Sequence, residues 1–283
     1  MFTSTTGAGL GTRALSKVPE VTIYFWVIKI LATTVGETAA DYLNMTLGLG
    51  LRSTTVVAVV LLVITLAAQF MVSRYIPALY WWTVLLISVT GTLITDNLTD
   101  ALGVPLAVTT IVFAIALVVV FTVWYLSEGT LSIHSIRTRR REAFYWLAIL
   151  VTFALGTAAG DLISEKLALG YLTSLIIFAT VIAVIAVGHY CLALNAVVAF
   201  WAAYIVTRPL GASLGDLLTQ PRSDGGLGVG TTLTNVVFLV IIIALVGYLS
   251  ATKVDRIEQR TPPAVRNADD DARNRARSRL SVR

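Results

Sequence analysis

The sequence predicts an all-α, polytopic membrane protein with eight transmembrane helices, arranged as four parallel two-helix repeats in two pseudo-symmetric halves. Three observations support this fold class. Of the 283 residues, 57% are hydrophobic and only 13% are charged, whereas soluble domains are about half apolar and about a quarter charged. Eight segments are apolar over the ~20 residues that a helical span needs. One motif also recurs four times within these segments.

The spans are expected in chain order at residues 21–43, 54–73, 77–98, 105–127, 143–164, 171–189, 193–217 and 230–251. The first is preceded by a polar stretch without a small-residue cleavage site after a short apolar core. Residues 1–19 therefore do not resemble a removable signal peptide, and the first span is expected to stay in the mature protein.

The recurring motif is an aromatic–Trp pair followed by Gly-x-x-x-x-Asp. In every copy the Trp stands ten residues before the Gly and the Asp five residues after it. The copies are Phe25-Trp26, Gly36, Asp41; Tyr80-Trp81, Gly91, Asp96; Tyr145-Trp146, Gly156, Asp161; and Phe200-Trp201, Gly211, Asp216.

The motif glycines follow one another at intervals of 55, 65 and 55 residues, so the chain consists of two halves of two repeats each. Each repeat begins with a helix that carries the motif, the A helix, and continues with a plain apolar helix, the B helix. Because two spans return the chain to its starting side, the A helices are expected to be parallel and related by an axis along the membrane normal.

This repeat pattern divides the chain into five regions. They are a cytoplasmic tail at 1–19, one membrane half at 20–126, a cytoplasmic linker at 127–141, a second half at 142–252 and a basic tail at 253–283. The last region holds nine Lys or Arg against five Asp or Glu and has too few apolar residues to fold alone. Basic residues are concentrated on the side of the termini, which predicts that both termini are cytoplasmic.

Seven acidic residues lie in or near the apolar A segments, where a carboxylate without a partner costs several kcal/mol. Three pairs stand one helical turn apart, so that like charges repel, and bound cations, shared protons or basic side chains must compensate. Carboxylate oxygens suit hard cations, and no cofactor is expected other than a divalent cation of the Mn, Mg or Ca class. The candidate metal ligands are Glu37, Asp41, Asp96, Asp100, Asp161, Glu165 and Asp216.

Two basic residues, Lys29 and Arg208, are candidates for charge pairing or coupling. Each stands eight residues before an acid on its own helix, Glu37 and Asp216 respectively. Two alternatives remain open. Lys29 could extend to the cytoplasmic surface with its stem in lipid, and the motif aspartates could cap helix ends at the water boundary.

The remaining motif positions predict packing and anchoring. The glycines Gly36, Gly91, Gly156 and Gly211 would let helices approach closely. The tryptophans Trp26, Trp81, Trp146 and Trp201 are expected to anchor the A helices at the membrane interface. Fifteen residues of helix separate Trp from Asp, about 22 Å, so the carboxylates would lie in the outer part of the bilayer.

Several functional classes are disfavoured by the sequence. The lone Cys191 and the two separated histidines argue against an intrachain disulfide and a soft-metal site. No Ser-His-Asp, Cys-His or His-Glu-x-x-His arrangement is present, so an enzyme is not expected. The expected partners are membrane lipid and a metal cation or protons, not nucleic acid, and homo-oligomerisation is left open.

Three stretches resemble a known family. They are residues 130–136 (TLSIHSI), 152–162 (TFALGTAAGDL) and 207–216 (TRPLGASLGD). They are similar to an uncharacterised bacterial family of multipass membrane proteins built of four copies of a repeat of unknown function. This resemblance implies a bacterial inner-membrane location and covers nearly the whole chain apart from its tails. It implies no mechanism.

Three functions follow from the repeated acids. The first is a secondary transporter, in particular an exporter, of a hard metal cation or of cations coupled to protons through intramembrane carboxylates. The second is a channel or proton-coupled carrier of a small organic cation, held by aromatic rings. The third is a non-transporting scaffold whose basic tail recruits a partner.

Overall fold

The computed structural model describes residues 16–256, and within them eight helices are long and apolar enough to cross a membrane. Their number and order agree with the predicted spans, and the chain is a multipass, all-α membrane protein. The helices are α1 (Ile23–Asp41), α2 (Leu51–Met71), α3 (Pro77–Asp96), α4 (Leu106–Glu128), α5 (Arg139–Asp161), α6 (Tyr171–Cys191), α7 (Ala196–Thr219) and α8 (Thr231–Thr252).

The four A helices, α1, α3, α5 and α7, form the inner layer of the protein. Each packs on two others, α1 on α3, α3 on α5, α5 on α7 and α7 on α1, which closes a ring. The B helices lie outside this ring, and each packs on the A helix of the following repeat: α2 on α3, α4 on α5, α6 on α7 and α8 on α1. The B helices are mostly exposed and apolar, as a lipid-facing layer requires.

The A helices run parallel, because their N-terminal ends meet in one aromatic cluster. The ring of Phe25 lies 5.4 Å from that of Trp81 and 5.9 Å from that of Phe200. Tyr80 lies 5.5 Å from Trp146 on the next A helix. The repeats are therefore related by rotation about the axis of the inner ring.

Segments next to both termini pack under this aromatic end. Lys17 forms a 2.6 Å salt bridge with Glu142, and both side chains are buried. The hydroxyl of Tyr75 donates a 2.5 Å hydrogen bond to Asp255, and the Glu20 amide donates to the Asp255 carbonyl. The packed region thus extends beyond the predicted limits of 20 and 252. The rest of the two predicted tails, 1–15 and 257–283, lies outside the described residues.

Three of the A helices end in a feature that the sequence did not predict. A five-residue π-helical turn follows the motif Asp in the first three repeats, at Tyr42–Thr46, Asn97–Ala101 and Leu162–Lys166. In the fourth repeat α7 continues as an α-helix to Thr219 instead. Isolated π-turns occur frequently at functional sites, since they shift the side chains that follow.

Candidate functional site

The inner ring contains a stack of side chains along its axis. Counted from the motif Gly, the positions −11, −7, −3, +1 and +5 follow one another at four-residue steps and lie along one ridge of each A helix. Four helices contribute to each level, so each position defines a layer. The layers are aromatic (Phe25, Tyr80, Tyr145, Phe200), amine (Lys29, Val84, Ile149, Tyr204), guanidinium (Thr33, Ser88, Phe153, Arg208), carboxylate (Glu37, Thr92, Thr157, Ala212) and aspartate (Asp41, Asp96, Asp161, Asp216).

The motif glycines lie where neighbouring A helices come closest. A Cβ atom placed on Gly36 would lie 1.8 Å from Ser88 Oγ, and one on Gly211 would lie 2.0 Å from Thr33 Oγ1. The other two glycines likewise face the next helix, Gly91 at Phe153 and Gly156 at Arg208. Every glycine thus meets the guanidinium-layer residue of the following repeat, and the fourth meets that of the first.

Arg208 lies at the centre of the stack and is fully buried. Its guanidinium donates a 2.8 Å hydrogen bond to Glu37 Oε2 and a 3.0 Å bond to the carbonyl of Thr33. It also donates to the hydroxyls of Thr92 and, at 2.7 Å, Thr157. Through this one side chain the fourth repeat is bonded to the first at Thr33 and Glu37, to the second at Thr92 and to the third at Thr157. Arg208 therefore connects all four repeats.

The partner of Arg208 differs from the one that the sequence suggested. Helical spacing placed Asp216 two turns along the same helix, but the guanidinium is paired with Glu37 of the first repeat. Gly156 on α5 leaves room for the aliphatic part of the Arg208 side chain. The Cγ of Arg208 lies 2.4 Å from the position that a Cβ on Gly156 would take.

Lys29 is also fully buried, one layer from Arg208. Its amine lies 4.3 Å from the ring centroid of Phe153 and 4.2 Å from that of Tyr204. Within residues 16–256 it has no hydrogen-bond partner, so the expected pairing with Glu37 is not formed. Extension to the surface does not occur either, and the amine is held by two aromatic faces, which attract cations.

The aspartate layer lies at the C-terminal end of the inner ring. Asp216 is 6% exposed, while Asp41, Asp96 and Asp161 are half-buried. The carboxylate of Asp96 is close enough to those of Glu37 and Asp41 to interact with them electrostatically. This end of the axis is therefore acidic.

The expected seven-acid metal site does not form among the described side chains, where no group of three His, Cys, Asp or Glu is placed to hold a metal ion. Glu37 is engaged by Arg208. Asp100 lies in the second π-turn, is exposed, and accepts a 3.0 Å hydrogen bond from Thr99. Glu165 lies in the third π-turn. In a π-turn the α-helical four-residue spacing no longer brings successive acids to one face.

The tryptophans differ from the predicted interface anchors. Trp81, Trp146 and Trp201 are only 2–4% exposed and belong to the buried core, so three of the four rings do not face lipid. These three rings are buried because the A helices adjoin one another in the inner ring, where each of the three packs on an aromatic side chain of the preceding repeat. Trp26 alone among the four remains half-buried.

The aromatic layer closes the other end of the stack. The hydroxyls of Tyr80 and Tyr145 lie 2.5 Å apart, and Phe25 and Phe200 complete the layer with at most 8% exposure. The arrangement is therefore asymmetric along the axis. It is acidic and partly accessible at one end, charged and polar in the middle, and sealed by aromatic rings at the other end.

Four uncharged side chains of the stack contact the buried charges, and their composition alone does not single them out in the sequence. Thr92 and Thr157 bind the guanidinium, and Phe153 and Tyr204 enclose the amine. A signal for them exists in the sequence, because they occupy the positions equivalent to Glu37, Arg208 and Lys29 when the repeats are aligned on the motif Gly.

Comparison with known families agrees with the four-repeat architecture. The model of a family described as Repeat of Unknown Function (DUF347) matches four times, at residues 24–75, 79–130, 144–193 and 199–255. Searches of curated proteins and of solved structures found no match. The four matches cover well over half of the chain, which therefore belongs to this repeat family.

Proposed function

We propose, from its membership of a four-repeat membrane family and from the charges along its axis, that the protein is a secondary transporter of a cation. In this proposal cation movement is coupled to protons carried by Glu37 and the aspartate layer. The observation that carries it is the buried Glu37–Arg208 pair in the middle of the ring. Buried ion pairs stabilise folds poorly, whereas ionisable groups within the membrane commonly mark ion and proton pathways.

The proposed path follows the axis from the aspartate layer inward. Negative charge at this end attracts cations and raises their local concentration. A cation or proton that reaches Glu37 would compete with Arg208 for its carboxylate. The Thr92 and Thr157 hydroxyls, which the guanidinium now engages, offer further oxygen ligands. Alternating access requires the aromatic layer to open when the polar centre closes.

The proposed cation is one whose binding does not need three carboxylate ligands. Monovalent ions, protons and small organic cations fit this description better than the Mn, Mg or Ca class, because hard divalent ions bind through several carboxylates and carbonyls. We further propose a bacterial cytoplasmic-membrane location with both termini in the cytoplasm. The bias of Lys and Arg toward the termini side supports that orientation.

The test uses the purified full chain in liposomes that contain a pH-sensitive dye. Gradients of Na⁺, K⁺, Mg²⁺, Ca²⁺, Mn²⁺ and tetramethylammonium are imposed in turn, and proton flux is followed. Glu37→Gln should abolish the flux that the active cation produces. Asp224→Asn is the matched control, since Asp224 is exposed in an outer loop. Absence of flux for every cation, or equal flux in the Glu37 variant, would reject the proposal.

A second candidate, a carrier of small organic cations, is favoured by the contacts of Lys29. Its amine already occupies the space between two aromatic rings, which is where an ammonium cargo would bind. In this version Lys29 is a tethered competitor that the cargo displaces. Lys29→Ala should increase the thermal stabilisation by tetramethylammonium relative to the wild type, and metal chlorides should have no such effect. If tetramethylammonium stabilises the variant no more than the wild type, small organic cations are not the cargo.

A further inference from the structure

A lateral cavity of about 720 Å³ opens on the lipid-facing side of the ring, between α1, α6 and α7. We propose that this groove binds one anionic phospholipid, with an acyl chain along the groove and the phosphate at its termini-side end. The proposal is independent of transport, because the groove lies outside the inner stack.

The groove has the dimensions and lining that an acyl chain needs. Along α7 its wall runs from Ala196 to Leu210, a rise of about 21 Å, which exceeds the roughly 15 Å hydrocarbon depth of one leaflet. Most of the lining is aliphatic, as Ile30, Ile182 and Leu210 illustrate. Its volume lies in the range of about 300–1,000 Å³ that is usual for ligand pockets.

The polar groups of the groove are concentrated at one end. His134 of the linker and His189 near the end of α6 line this end together with Ser132. Arg137 and Arg139 follow His134 closely in the chain and are exposed. Their basic charge complements a phosphate. Glu20 offsets only one of these two positive charges, so this end keeps a net positive charge.

The repeat symmetry gives a second reason to expect an occupant. Trp26 lines the groove and is half-buried, whereas its equivalents Trp81, Trp146 and Trp201 are 2–4% exposed. The three buried rings are covered by protein. A lipid chain in the groove would cover Trp26 in the same way.

The test measures quenching of tryptophan fluorescence by phospholipids with brominated acyl chains, in vesicles of phosphatidylcholine with a minor fraction of brominated lipid. Trp82 is 49% exposed, so the background variant is Trp82→Phe. Brominated phosphatidylglycerol should quench this variant more than the same amount of brominated phosphatidylcholine. Adding Trp26→Phe should remove that difference.

Charge variants identify the headgroup site. Arg137→Gln with Arg139→Gln should reduce the preference for phosphatidylglycerol at least threefold, while Arg52→Gln, on exposed α2 at the opposite side, should leave it unchanged. Equal quenching by the two lipids would overturn the proposal, as would no quenching of Trp26. Quenching of Trp26 could instead decrease as the protein-to-lipid ratio rises, together with a measured mass of a dimer. That result would assign the groove to a second copy of the chain and would also overturn the proposal.

Discussion

The guanidinium of Arg208 lies 2.8 Å from the carboxylate of Glu37, and this bond joins the last repeat of the chain to the first. The pair closes the inner ring between α7 and α1. Both side chains are at most 9% exposed. A charge left alone in such a place is costly, so each residue depends on the other.

Replacing Arg208 by Met should therefore destabilise the protein by about 3–5 kcal/mol, because Glu37 is left buried without its cation. The double variant Glu37→Met/Arg208→Met should lose much less, since no unpaired charge remains. Thermal unfolding in detergent measures both, with Arg52→Ala, on an exposed position of α2, as the control. A double variant as unstable as the single one would show that the two charges are not energetically coupled.

Replacing Gly91 by Ala should lower the stability by about 1–3 kcal/mol through overpacking. The new Cβ would lie 2.7 Å from Phe153 Cβ and 3.1 Å from the backbone nitrogen of Ala154, and backbone atoms cannot move aside easily. Gly247→Ala is the matched control, because nothing lies within 4 Å of a Cβ there. Equal melting temperatures of the two variants would contradict close packing at Gly91.

Much of this architecture could be predicted from the sequence, because span length, apolar composition and the fixed spacing of the motif each have a direct physical meaning. The partner of Arg208 could not. Helical periodicity identifies neighbours on one helix, such as Asp216, whereas the Glu37 contact depends on which helices adjoin in the ring. The exposure of Asp100 depends on a π-turn, for which the sequence carried no recognisable signal.

Replacing Lys29 by Met should change the stability by less than about 1.5 kcal/mol, as volume-conserving core substitutions do. The amine contacts two rings but has no hydrogen-bond partner among residues 16–256, and Met retains the length of the side chain. Lys166→Met, at an exposed position, is the control. Unfolding measured by near-UV circular dichroism would reveal a large loss if the amine had an essential partner.

The Tyr75–Asp255 contact, which lies outside the spans, should make the stability of the protein depend on pH. Burial raises the pKa of Asp255 above its usual value, and the hydrogen bond from Tyr75 opposes part of that rise. The folded protein thus binds this proton more tightly than the unfolded chain. The contribution of Asp255 to stability is fully present below the usual pKa of about 4 and is lost as pH rises through the higher folded-state pKa.

Asp255→Asn should remove this pH dependence, because the amide resembles the protonated carboxyl at every pH. The difference in unfolding free energy between wild type and variant should therefore change between pH 4 and neutrality and be constant below that range. Tyr75→Phe should extend the sloping range to higher pH, since it removes the hydrogen bond that lowers the pKa of Asp255. Asp224→Asn, in the exposed loop between α7 and α8, should follow the wild-type curve. Parallel curves for wild type and Asp255→Asn across the whole range would mean that Asp255 has the same pKa in the folded and unfolded states.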